Sequence, residues 1–100
     1  MDNTTQVDEA VKSIVDKYME SNADCNGNDN YNQPKSEYIS KVITMSDDLL
    51  LEECKRFIFL SAYASNNWRS DYHWKCDLCY DECQRRNKGD IYTKAHKLAF

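Results

Sequence analysis

Cys76, Cys79 and Cys83 fall on one short stretch, with His73 just upstream. Thiolate and imidazole are zinc donors, and Cys76-x-x-Cys79 is half of a structural zinc motif, with Cys83 or His73 as a third ligand. Geometry argues against the site. One straight helix does not wrap four donors around an ion, and the chain has no second Cys-x-x-Cys or histidine pair. Cys54 is the one thiol placed to complete the set. The competing use is packing, because free cysteine is among the most buried residue types. Redox chemistry of the thioredoxin kind goes with a βαβ pattern that is absent here. The expectation is that Cys54, Cys76, Cys79 and Cys83 are reduced core residues, with no metal and no cofactor.

Other chemistries are constrained more tightly. His73 and His96 are the only histidines, and spacing alone places no Ser-His-Asp or Cys-His arrangement. The acid pairs Asp47-Asp48 and Glu52-Glu53 read as solvated helix starts, so no enzyme activity is expected. Two glycines cannot build a phosphate-cradling loop. In residues 21–35, Asp24, Asn26, Asn28 and Asn30 alternate as calcium ligands would. No glutamate closes that loop and Gly27 is misplaced, so it reads as a flexible, solvated linker. Arg85, Arg86, Lys88, Lys94 and Lys97 could meet phosphates, but their usual role is a solvated surface.

On a helical wheel of residues 71–86, Tyr72, Cys76, Cys79, Tyr80 and Cys83 share a face. Trp74 and Leu78 stand on the opposite side among Asp77, Asp81, Glu82 and Arg85. The cysteine stripe supplies a core side, so the second stripe needs a separate cover. Either another segment of the chain covers it, such as the last helix, through Tyr92 or Leu98, or the loop, or a partner does. Exposed Trp with nearby Arg is interface hot-spot composition. Trp68, Arg69, Trp74, Leu78 and Arg85 are therefore the candidate partner-binding residues.

The elements that must position these residues read as helices. Residues 5–20 carry Val7, Ala10, Val11, Ile14, Val15 and Tyr18 at helical spacing, with Thr5 and Asp8 placed as a capping box. Residues 36–45 are a short helix around Tyr38, Ile39, Val42 and Ile43. Their β-branched content suits a strand, but no partner strand is evident. Residues 47–65 form the central helix, with Ser46 as N-cap and Asp47 and Asp48 at its positive end. Its second half, residues 57–64, has no charge on any side and is expected to be the most buried segment. Ser70 caps the cysteine helix, Asn87-Lys88-Gly89 stops it, and Asp90 caps a last short helix.

One hundred residues make one domain by length, 1–100. The fold class expected is all-α, a bundle of four to five helices. The net charge of −4 hides an asymmetry. Residues 1–67 hold six Lys/Arg against twelve Asp/Glu, and residues 68–100 hold seven against five. That tail is too weakly basic to argue for nucleic acid. No apolar run approaches the ~20 residues of a membrane span, and no signal-peptide pattern is visible, so the expected location is the cytoplasm. Acidic, Asn- and Tyr-rich, Gly-poor composition is the style of small bacteriophage or mobile-element accessory proteins. The expected function is a non-enzymatic protein-binding module that inhibits a host or defence protein, with self-association open. The alternative is a zinc-stabilised nucleic-acid-binding protein.

Overall fold

A computed structural model describes residues 3–19 and 27–100, the side chains of 3–8 and 19 excepted. Five helices run α1 Asn3–Met19, α2 Lys35–Thr44, α3 Asp47–Tyr63, α4 Asp71–Arg85 and α5 Gly89–Ala99. The all-α class is as the sequence predicts, and residues 35–44 are helix rather than strand. The capping box at Thr5 and Asp8 lies outside the described side chains.

The N-caps of α3 and α4 form as their sequences dictate. Ser46 Oγ accepts from the Leu49 amide and Ser70 Oγ from the Tyr72 amide, each at 3.2 Å. The stop of α4 falls within Asn87-Lys88-Gly89, at Asn87. Asn87 takes the left-handed conformation at φ 59°, while Lys88 N donates to Cys83 O and Asn87 N to Gln84 O, both at 2.9 Å. This is the paired-carbonyl closure of a helix C-terminus. Asp90 does not cap α5; the cap position is Lys88, without a side-chain hydrogen bond. Asp90 instead puts its charge in the first turn, where the helix dipole favours it.

α4 sits at the centre. It contacts each of the other four helices, with α3 and α5 meeting its cysteine side. The single core cluster draws on all five helices, from Ile14 and Tyr18 in α1 to Ala95 in α5. The Cα extents of 47 × 34 × 15 Å make a slab, about two helices thick at usual packing distances of 8–10 Å. In such a slab few helices can be enclosed on all sides. α3 shows the consequence. Leu50, Cys54, Phe57 and Ile58 are buried, but Phe59 is 50 % and Tyr63 81 % exposed. Residues 57–64 are thus not the most buried segment, and the enclosed helix is α4.

Arg86 bolts α2 to this centre. Its guanidinium donates to the Val42, Ile43 and Met45 carbonyls at 3.1, 3.2 and 2.7 Å. It also pairs with Glu82 and with Asp47. Glu82 is fully buried, and Arg85 clasps it a second time at 2.6 Å. Carbonyls left open at the end of α2 and a buried carboxylate are thereby satisfied together.

Candidate functional site

Trp74 and Leu78 are core residues, 6 % and 0 % exposed, which removes both from the surface that the two-stripe wheel implied. The cover of Trp74 is the chain itself, from its N-terminal half rather than its last helix. Tyr18 of α1 and Tyr38 of α2 place their rings 6.2 and 5.8 Å from the Trp74 ring. The Lys35 ammonium lies 5.1 Å from its centroid. The indole N–H donates to Asp71 Oδ1 at 2.9 Å, satisfying the polar end of a buried tryptophan. Arg85 is also withdrawn from the candidate set, because both arms of its guanidinium are spent on Glu82.

Trp68 and Arg69 remain outside. Trp68 is 73 % exposed, and the Arg69 guanidinium lies 4.8 Å from its ring centroid. The loop that carries them is held to residues 27–34. Asn30 Nδ2 donates to Arg69 O at 2.7 Å, and Asn30 N to the Asp71 carboxylate at 3.1 Å. Asp29 Oδ1 accepts from the Tyr31 and Gln33 amides, both at 2.9 Å. Over its described residues the Asn-rich stretch is therefore a hydrogen-bonded turn; residues 21–26 lie outside the description. This docking sets Tyr31 beside Tyr63 and Tyr72, all three lining one shallow cavity of about 310 Å³.

Tyr72 and Lys75 also border a larger groove of about 680 Å³ between α3 and α4. Phe57, Phe59 and Leu60 supply its apolar wall, and Lys55 and Arg56 stand at its rim. Tyr31, Phe59, Tyr63 and Tyr72 thus line two depressions that share Tyr72 and Lys75, and Trp68 stands exposed on the loop between α3 and α4. Among these, Trp68 is the one candidate site residue of the sequence analysis. A signal for Phe59 and Tyr63 exists in α3. Glu52, Arg56, Phe59 and Tyr63 follow one another at three- and four-residue steps, so the charged face of the first half runs on into the two aromatics.

Cys54, Cys76, Cys79 and Cys83 are buried, as the packing reading expects. Cys54 Sγ and Cys83 Sγ are 3.7 Å apart, and Cys76 Sγ meets Tyr92 Oη at 3.4 Å. Hydrogen bonding to a neighbouring thiol and then burial push Cys54 and Cys83 far above the ordinary thiol range. Burial raises Cys76 as well. Such thiols are protonated and poorly nucleophilic at neutral pH. Among the described residues no three His, Cys, Asp or Glu side chains gather as a metal would require.

Spacing gave no sign of the contact between Ser61 and His73. Ser61 Oγ lies 2.6 Å from His73 Nδ1, and His73 Nε2 lies 2.8 Å from Asn67 O and 3.2 Å from Ala64 O. Both carbonyls can only accept, so Nε2 carries a proton and neutral His73 takes the Ser61 hydroxyl hydrogen on Nδ1. This is the geometry of a nucleophile with an oriented base. Neither residue lines the cavities described above, and Ser61 sits in the last turn of α3. The pair ties the end of α3 to α4.

The chain matches no family model, no curated protein and no solved structure. Among the described residues no helix is long and apolar enough to cross a membrane.

Proposed function

We propose that this protein is a non-enzymatic protein-binding module whose partner covers the aromatic end built from Tyr31, Phe59, Tyr63, Trp68 and Tyr72. One observation carries the reading. The uncharged second half of α3 has the composition of a buried helix, yet its own chain leaves Phe59 and Tyr63 in solvent. Apolar surface gathered in one place marks an interaction site. Tyr and Trp are the residues that most often dominate binding energy there. The two flanking turns are fixed by hydrogen bonds, so the rings are presented with little ordering cost on association.

The basic tail supports the protein reading over a nucleic-acid one. Arg85 and Arg86 are committed to Glu82, and Lys88 and Arg86 to Asp47. Fewer cations remain for phosphates than the sequence advertises. Inhibition of a host or defence protein would be one use of such a module.

A photo-crosslinking amino acid at Tyr63, in cells of the source organism, tests the proposal. The expected result is one dominant crosslinked protein, lost when Phe59→Asp is added and retained when the exposed Lys97 is changed to Ala. Diffuse crosslinking, or a product indifferent to Phe59→Asp, would overturn it.

A further inference from the structure

The groove between α3 and α4 has a local charge opposite to that of the whole chain. Of the groups on its rim, Glu53 is buried and its carboxylate is engaged by the Tyr38 hydroxyl at 2.6 Å. Glu52 pairs with Lys55 at 3.5 Å. Arg56 and Lys75 are left without a carboxylate among the described residues. Both lie over one ring, with the Arg56 guanidinium 5.9 Å and the Lys75 ammonium 5.6 Å from the Phe57 centroid. Lys75 is also 4.8 Å from the Tyr38 ring and 5.8 Å from Trp74. Ring faces attract a cation without neutralising it, so the charge is held in place and still available. Next to it the groove offers Phe59, Leu60 and Tyr72. Its volume of about 680 Å³ is in the range of specific ligand sites, roughly 300–1,000 Å³.

We propose that this groove receives an acidic side chain together with its apolar neighbour from the partner protein, the carboxylate meeting Lys75 and Arg56 and the apolar group resting on Phe59, Leu60 and Tyr72. The inference rests on the protein-binding reading above and adds the chemistry of the partner. The count of open cations decides against a polyanion. Lys55 is paired with Glu52, so among the described residues the groove offers Lys75 and Arg56 to one anionic group and no further unpaired cation to a second.

The test uses the full chain, isotope-labelled, titrated with a short peptide of alternating Asp and Leu and with its Lys-Leu counterpart. The expected result is chemical-shift change at Lys75, Phe59 and Tyr72, with the Asp-Leu peptide bound at least about ten-fold more tightly, as charge complementarity requires. Arg56→Glu with Lys75→Glu should reverse the preference. Lys75→Gln, the gentler change should the double variant fail to fold, should weaken the Asp-Leu peptide alone. Equal binding of the two peptides overturns the inference. So does decanoate shifting the groove where the Asp-Leu peptide does not, which would assign a free amphiphile. Tighter binding of oligothymidine at the same residues overturns it in favour of single-stranded nucleic acid. If crosslinking at Tyr63 still captures a partner while the peptides leave the groove unmoved, the protein-binding reading stands and the acidic-partner inference falls.

Discussion

Trp68 and Trp74 carry the same side chain six positions apart and face opposite environments. Trp74 has Tyr18, Tyr38 and Lys35 around it and Asp71 on its N–H. Trp68 has one guanidinium beside it and is 73 % exposed. Trp74→Ala is therefore expected to cost roughly 3–5 kcal/mol of stability in urea unfolding. Trp68→Ala should stay within about 0.5 kcal/mol of the parent and weaken partner binding by roughly 2 kcal/mol or more. A Trp74 variant as stable as the parent would mean the aromatic cluster around it is not packed. The sequence revealed that the cysteine helix has two apolar stripes and could not reveal what covers the second. Tyr18 and Tyr38 come from segments 56 and 36 positions upstream of Trp74, and contacts at that separation leave no mark in local periodicity.

At the scale of elements, what was legible is what is local. Ser46 and Ser70 cap the helices that follow them because a short side-chain oxygen reaches an amide two or three residues on. Helix existence and approximate bounds follow from the 3.6-residue repeat. The joints between elements were not legible. Arg86 read as one of several surface cations, yet it closes the end of α2 and pairs with a fully buried glutamate. Asp71, unremarked in the sequence, joins the Asn30 turn to Trp74. Arg86→Met keeps much of the side-chain volume and removes every one of these bonds. The Ile43 and Met45 carbonyls then lose the guanidinium, Val42 O keeps only the Met45 amide, and Glu82 Oε2 keeps only Arg85. The expected loss is roughly 2–4 kcal/mol, read as a lower urea midpoint with an unchanged denaturant slope. Amide exchange in the last turn of α2 should quicken at the same time. A loss below about 1 kcal/mol would show that water replaces the guanidinium at little cost.

The whole molecule is a thin slab with one helix at its centre, and two consequences follow from that shape. The first is the exposed aromatic end, since a plate 15 Å deep cannot enclose α3 as it encloses α4. That is why an all-round apolar segment, read from sequence as the core axis, turns one side to solvent. The second concerns pH. The buried centre keeps protons that an unfolded chain would release. Cys54 and Cys83 are held far above the usual thiol range, by hydrogen bonding between thiols and then by burial. Tyr18 is raised far above the phenol range by burial first and by its hydrogen bond to Asp81 second. For each of these groups the folded pKa exceeds the unfolded one, about 8.5 for the thiols and about 10 for the phenol. Their contribution to stability is complete below the unfolded pKa and is lost as pH rises toward the folded value. Above pH ~8.5 the unfolded state binds fewer protons than the folded state, so the stability falls with rising pH. Each group costs about 1.4 kcal/mol per pH unit once its unfolded form ionises. The two thiols and the phenol act in the same direction, so the fall steepens as each unfolded form ionises. Urea unfolding under reducing conditions should show a midpoint steady from pH 7 to 8 and dropping steeply by pH 10. Cys54→Ala with Cys83→Ala should lower stability at neutral pH and flatten the alkaline limb. A parent midpoint that holds through pH 10 would mean that these thiols ionise inside the fold, and the closed centre described here would be wrong.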